Sequence, residues 1–389
     1  MSERDRFASL AQAWLQNEEL MPLDRQFVIE YLLRYMRGQQ IVINSLPDVY
    51  EWKFTGDNIV FTNGVFEIPV DQVLLAYYLL VFDLDATGDN IFDFHLSGNT
   101  LYVAGNFATL NGVTTENVAM VDITTGTVTA MAGLDSGGFV YSITVDSGGD
   151  VYIGGAFFIS SSATKFAKWN GSSWDAITDA NLTNTVWVVE AYGTDVYVGG
   201  EFTDVGDANG DYIVKYSGSA FSSLGSGSSG NYGVYSIDFD SNGDLYAAGD
   251  FSSLGGTDAR NIANWNGAAW SALGDGVGDA NDWAECVFVD SSDDVWATGY
   301  FDNGIKKWDG SGWGTVGGGA NGVVWNVAED SNGYIYAIGD FTTMGGKEAN
   351  RVARWTGDYW QSLGTGFTAR QLAIAIDSND VVYIGGDEA

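Results

Sequence analysis

The chain has 389 residues, 46% of them hydrophobic, with 52 Gly, 3 Pro, 14 Trp, 20 Tyr and 21 Phe, a composition that builds a folded core and not a disordered tail. Its 51 acidic residues face only 16 basic ones, and the formal net charge of −35 excludes a sequence-independent grip on nucleic-acid phosphates and disfavours an anionic membrane as partner. One cysteine, Cys286, excludes an internal disulfide, and one histidine, His95, excludes His-based zinc clusters and leaves a single imidazole for any Ser/His/Asp or Cys/His relay.

Residues 1–45 stand apart, carrying 5 of the basic residues and only 6 of the acidic ones. Phe7, Leu10, Ala11, Trp14 and Leu15 share one helical face, with Ser2 and Asp5 as a capping box. Pro22 suits a second helix start, Phe27, Val28, Tyr31, Leu32, Tyr35 and Met36 form its apolar stripe, and Gly38 suits its end. The expectation is a short helical hairpin that caps a domain or docks it on an assembly through Trp14, Phe27 and Tyr31. No apolar run of signal-peptide type opens the chain, and Val73–Phe82 is too short for a membrane-spanning helix, so a soluble protein without membrane insertion is expected.

From residue 91 onward the chain repeats. LYVAGNF at 101–107 recurs as VYIGGAF at 151–157, VYVGGEF at 196–202, LYAAGDF at 245–251, VWATGYF at 295–301, IYAIGDF at 335–341 and VYIGGDE at 381–387. The Phe spacings of 50, 45, 49, 50 and 40 residues match a unit of four short antiparallel strands. Each copy follows an alternating run and a polar turn, as in VYSITVDSGGD at 140–150 and VYSIDFDSNGD at 234–244, which makes the pair a hairpin. A second hairpin follows, marked by two aromatics five residues apart around a Gly turn: Trp169 and Trp174, Tyr216 and Phe221, Trp265 and Trp270, Trp308 and Trp313, Trp355 and Trp360.

Two hairpins per period predict an all-β propeller of four-stranded blades. A closed ring needs its termini clasped, and the last repeat has only its first hairpin, so residues 73–88 are expected to close the ring against 370–387. That gives seven blades over residues 46–389, with eight as the alternative because residues 49–68 align loosely with 140–159.

The pattern resembles the kelch-like propeller repeats, with Trp-Asn-Gly and Gly-Gly-x-Phe signatures, of bacterial surface proteins and phage-encoded proteins. Gly154-Gly155-Ala156-Phe157 and Trp169-Asn170-Gly171 carry the resemblance best, over roughly residues 91–387, while residues 121–126 lack both aromatics. It implies repeat residues that are structural and transfers no catalytic residue. A helical piece ahead of a propeller looks like the attachment element of a tail or capsid-surface protein.

The regular aromatics therefore read as packing, and the departures from the repeat as function. Trp187, Trp283 and Trp325 sit where blade entries approach a ring face and are the candidate binding surface. Glu190, Asp282 and Glu285 read as solvated or loop-capping carboxylates, and His95 as a surface or hydrogen-bonded residue. No cofactor is expected. Calcium is the better metal guess, at the D-x-D-x-x-G-D loop of Asp83, Asp85 and Asp89 or at Asp207, Asn209 and Asp211, against the plainer reading of Asx-rich turns. The acidity fits high salt, a basic partner, or solubility at high copy number. The expected role is a non-enzymatic structural or attachment protein of a phage or other virion, on the virion surface or extracellular. Its partners would be assembly proteins, further copies of itself, or a host receptor or glycan. The alternatives are a secreted carbohydrate-binding or adhesion module and, behind it, a polysaccharide-degrading enzyme.

Overall fold

The repeated Gly-x-Phe segment becomes the second strand of each blade. In the computed structural model the described residues are 90–387 except 227, with strand backbones at 52–55, 58–61, 67–69 and 86–87. Blade 1 takes strands Asn90–Ser97, Thr100–Asn106, Val118–Asp122 and Thr127–Ala130, and blade 2 takes Phe139–Val145, Val151–Ile159, Ser162–Trp169 and Trp174–Ala176. Blade 3 uses Val186–Tyr192, Asp195–Gly200, Ile213–Tyr216 and Phe221–Ser223. Blade 4 uses Ser229–Phe239, Leu245–Leu254, Ile262–Trp265 and Trp270–Ala272, with Thr257–Asp258 as an extra strand. Blade 5 runs through Trp283–Val289, Val295–Tyr300, Ile305–Trp308 and Trp313–Thr315, and blade 6 through Val324–Glu329, Ile335–Gly339, Val352–Trp355 and Trp360–Ser362. All neighbours pair antiparallel.

Among the described residues the fold is an all-β propeller with six complete blades, which corrects the expectation of seven or eight complete ones. The described residues of the seventh position are the hairpin Gln371–Ile376 and Val382–Gly386. Its Ile374 and Val382 pack with Tyr336 and Ile338 of blade 6, while its Ala373 and Tyr383 pack with Ile91 and Phe94 of blade 1. The hairpin thus sits between the last and first blades, and an isolated bridge joins Asn90 to Asp387. Of the segment expected to complete it, residues 86–87 pair with Thr109–Leu110 of a small ribbon, and the remainder lies outside the described residues. Strands Trp52–Thr55, Asn58–Phe61 and Glu67–Pro69 form a three-stranded sheet of their own within residues 1–70, a compact unit distinct from residues 71–389. The helical expectation for residues 1–45, with Trp14, Phe27 and Tyr31, also lies outside the described residues.

Seven hydrophobic clusters hold the ring, one at each interface between successive sheets. The paired aromatics are part of this packing. Trp169–Trp174, Trp265–Trp270, Trp308–Trp313 and Trp355–Trp360 keep ring centroids 5.1 to 5.5 Å apart. Such pairs contribute about 0.5–1.5 kcal/mol beyond the area they bury. The second Trp of each pair also reaches back one blade: the Nε1 atoms of Trp174, Trp270, Trp313 and Trp360 donate to the carbonyls of Met131, Leu224, Leu273 and Val316.

The turns between first and second strands are another repeated device. Asp146, Asp240, Asp290, Asp330 and Asp377 each turn Oδ1 back to accept the amides two and four residues on. The following serine joins neighbouring turns, with Ser241 donating to Asp293, Ser291 to Glu329 and Ser331 to Asp380.

Candidate functional site

The innermost strands share one irregularity. All seven carry a bulge opposite the glycine of the repeat, between Ile91 and Asp93, Val140 and Ser142, Val186 and Val188, Val234 and Ser236, Ala284 and Cys286, Val324 and Asn326, and Gln371 and Ala373. The glycine is needed because the bulged strand comes too close for a side chain. A Cβ on Gly299 would stand 2.5 Å from the Trp283 carbonyl oxygen, and one on Gly200 would be driven into that of Thr185. The extra residue of each bulge is Phe92, Tyr141, Trp187, Tyr235, Glu285, Trp325 and Leu372 in turn, and all seven line one cavity of about 840 Å³ at the channel. A bulge re-aims the residue it inserts, and here it turns five aromatics onto one mouth.

The candidates Trp187, Trp283 and Trp325 are thus brought together in the lining of this cavity. Tyr141 lies 4.6 Å from Trp187 and 5.2 Å from Phe92, and Tyr235 meets Trp187 edge-on at 6.0 Å. Trp283 stacks on Tyr300 at 4.5 Å, and Tyr300 is 52% exposed. Trp187 Nε1 donates to Glu201 at 3.2 Å, and Trp283 Nε1 donates to Glu285. The Arg370 guanidinium covers Trp325 at 5.4 Å and is itself paired with Asp387 at 3.0 and 3.2 Å. Trp325 Nε1 is buried without a hydrogen-bond partner.

Below the rim the channel is polar. The first strand of a blade leaves amides facing the channel with no strand to pair them, and an orphaned buried amide is costly. Side chains of the preceding blade accept them: Asp93 takes Ile143 N, Ser142 takes Val189 N, Thr144 takes Ala191 N, Ser236 takes Val287 N and Asp238 takes Val289 N, at 2.7 to 3.2 Å. Ser142 and Ser236 return the favour by donating to the carbonyls of Val189 and Val287.

Burial sets the electrostatics. It pushes the Asp93 and Asp238 carboxyls up to about 6, against the amides that hold their charged forms. Glu285 rises to about 7, burial outweighing the Trp283 indole and the Arg370 charge. Glu190 is raised well above the carboxylate range by burial and by the neighbouring Asp238 and Asp93 charges. Cys286 is raised to about 12, chiefly by burial, and so is a poor nucleophile at neutral pH.

Glu190 and Glu285 therefore line the channel and are not solvated loop caps, whereas Asp282 does cap its turn by accepting Asp279 N. His95 is half-buried on its strand, in the register that Glu190 and Asp238 occupy on theirs, each opposite the repeat tyrosine. Burial lowers it to about 4, which corrects the surface half of its reading as a surface or hydrogen-bonded residue. Asp93 and Asp238 escaped the sequence reading altogether; aligning the blades on the bulge glycine finds them.

For metals, Asp83, Asp85 and Asp89 lie outside the described residues. Asp207 and Asp211 are spent on turn contacts with Asn209 N, Ser223 Oγ, Asp204 N and Ser228 N. Among the described residues no cluster of three or more His, Cys, Asp or Glu side chains is arranged to hold a metal ion. No described helix is long and apolar enough to cross a membrane.

No family model matches the chain, and no curated protein matches it. Among solved structures it is similar to the WD40 β-propeller domain of Doa1, with a TM-score of 0.55 at 14% identity over 79% of this chain and 93% of that one. A catalytically inactive virginiamycin B lyase from Staphylococcus aureus with quinupristin gives 0.53 at 11% identity, covering 79% of this chain and 98% of that one. YCF48 bound to D1 peptide gives 0.51 at 13% identity, covering 80% and 94%. These likenesses show the propeller fold, which lyases and other proteins share; they do not extend to the kelch-like signature or to a virion role.

Proposed function

We propose that the chain is a non-enzymatic attachment or structural protein of a virion or cell surface, which presents the aromatic mouth of its propeller channel to a protein or receptor. One observation carries the reading. A bulge repeated in every innermost strand turns Phe92, Tyr141, Trp187, Tyr235 and Trp325 onto a single mouth, where packing of the blades does not require them. Large aromatic side chains gathered on one accessible surface are the composition of binding hot spots. In this reading Trp14, Phe27 and Tyr31 dock the propeller on other assembly proteins or on further copies.

The test is binding by the full chain to arrays of peptides and glycans, repeated with Trp187, Trp283 and Trp325 all replaced by alanine. Ligands lost in the triple variant support the reading. A ligand held equally by both proteins, or turnover of any arrayed substrate, overturns it. A second reading, carbohydrate binding, is favoured by the flat Trp283–Tyr300 platform, whose outer ring is exposed enough to stack on a sugar.

A further inference from the structure

We propose that the channel mouth takes a cationic side chain, a lysine or arginine on a segment of a polypeptide partner. The inference rests on the binding reading above and names its partner class.

The charged side chains of the lining are all acidic. Asp93, Glu190, Glu201, Asp238, Asp250 and Glu285 line the cavity beside the neutral donors Tyr141, Tyr235, Trp325 and Asn326, and the nearest cation, Arg370 over Trp325, is already paired with Asp387. Its two serines are engaged with the next blade. An ammonium or guanidinium offers donors and a positive charge to these six carboxyls, which a neutral sugar hydroxyl cannot match.

The aromatic faces point to the same ligand. Aromatic faces attract cations, more so when desolvated. The indoles of Trp187 and Trp283 donate their N–H groups to Glu201 and Glu285, which leaves the ring faces for a ligand and places a carboxylate beside each ring. The protein already uses this geometry internally, with Arg370 over Trp325 at 5.4 Å, Lys307 over Trp296 at 4.9 Å and Arg354 over Tyr334 at 4.8 Å. A net charge of −35 draws a basic partner over longer distances and speeds its arrival. The cavity of about 840 Å³ has room for the flanking backbone as well as one long side chain, which favours a polypeptide over a small amine.

Binding should be linked to protons. The titratable and charged groups at the site are Asp93 on the first strand of blade 1, with His95 two residues on along that strand, Tyr141 on that of blade 2, Glu190 and Glu201 on blade 3, Tyr235, Asp238 and Asp250 on blade 4, Glu285 and Cys286 on blade 5, and, over Trp325, Arg370 with Asp387 at the closing hairpin. Blade 6 contributes Trp325 and Asn326, neither of which titrates. Asp93 and Asp238 lie near 6 and Glu285 near 7, so all three are largely neutral at pH 5.5 and largely ionised at pH 8. A cation binds the ionised form and releases protons.

The experiment is titration calorimetry of the full chain, in salt near physiological strength, with capped Gly/Ser nonapeptides carrying three Arg, three Lys or three Gln, with spermidine, and with a neutral cello-oligosaccharide. The Arg or Lys peptide should bind at least tenfold more tightly than the Gln peptide at pH 8 and at least fivefold more weakly at pH 5.5. Glu285→Gln and Glu201→Gln keep an acceptor for each indole and should each lose at least fivefold with no fall in melting temperature. Asp293→Asn, among the turns at the other end of the strands, should lose nothing. Equal binding of the Arg, Lys and Gln peptides, or losses in Asp293→Asn matching those in the channel variants, overturns the inference. So does spermidine binding more tightly than either cationic peptide. Saccharide binding that depends on Trp187 sinks the cation while leaving the rim as a binding site; absence of any ligand at the rim sinks both.

Discussion

Asp238→Asn should make the protein more stable at pH 8, about half as much so at pH 5, and no more stable below pH 4. Asp238 Oδ2 accepts the Val289 amide at 2.7 Å, and an asparagine oxygen can keep that bond. What the substitution removes is a charge in a channel already holding Asp93, Glu190 and Glu285. The folded pKa, pushed up by burial to about 6 from 3.8, means that the native state holds a proton which the unfolded chain releases. Stability from this group is therefore fully present below about pH 4 and is lost as pH rises through 6. Two pKa units correspond to about 3 kcal/mol, an upper limit because water in an open channel screens part of it. Urea midpoints at pH 5 and 8, for wild type and variant, measure the effect. Wild type should gain stability on acidification to pH 5, and the variant should exceed wild type by about 1–3 kcal/mol at pH 8. An equal shift at both pH values, or a variant weaker at pH 8, refutes the electrostatic account and makes Asp238 a latch whose charge stabilises.

Trp270→Phe leaves the buried Leu224 carbonyl without its donor at 2.7 Å and should cost about 2–3 kcal/mol in denaturant unfolding, with a smaller loss for the less buried Trp313→Phe. Gly249→Ala drives a methyl into the Gly233 carbonyl across the bulge and should cost about 1–3 kcal/mol or more, seen as a drop in melting temperature; no loss would mean that the bulge relaxes freely. The Cys286 thiol, buried and raised to about 12, should ignore a disulfide reagent at pH 8 in the native protein and react fully in urea. A fast native reaction would show that the channel wall opens.

The blades were legible because they are local. Each hairpin announces itself in a turn such as Asp240-Ser241-Asn242-Gly243, and the Trp-x4-Trp spacing encodes a pair that meets across one short turn. Trp187, Trp283 and Trp325 could be singled out as departures from the repeat, and they do share the channel mouth. Glu285 is the inserted residue of its bulge, where side-chain alternation breaks, and Glu190 lies on the turn side of its own bulge, buried by a channel that no local pattern announces. Asp93 and Asp238 were missed for a different reason. Their partners, Ile143 and Val289, are 50 and 51 residues away on the next blade, and nothing in either strand signals that its free edge will be served by a neighbour. The number of complete blades likewise depends on closure, a contact between residues near 90 and 387 that the local pattern does not carry.

The latches run one way round the ring. Blade 1 serves the amide edge of blade 2, blade 2 that of blade 3, and blade 4 that of blade 5. Emerging from a ribosome, blades 2, 3 and 5 would thus find the oxygen that accepts their free amides already in place on the blade made before them. Assembly along the chain can proceed as templated addition, with little sequence separation to overcome at each step. The first blade is the exception. One of its faces waits for Ala373 and Tyr383, so the first blade made carries an apolar flank that these residues cover only when they arrive. The C-terminal hairpin is then the timing element of folding, and chains halted before residue 371 should accumulate as open arcs that associate through the flank of blade 1.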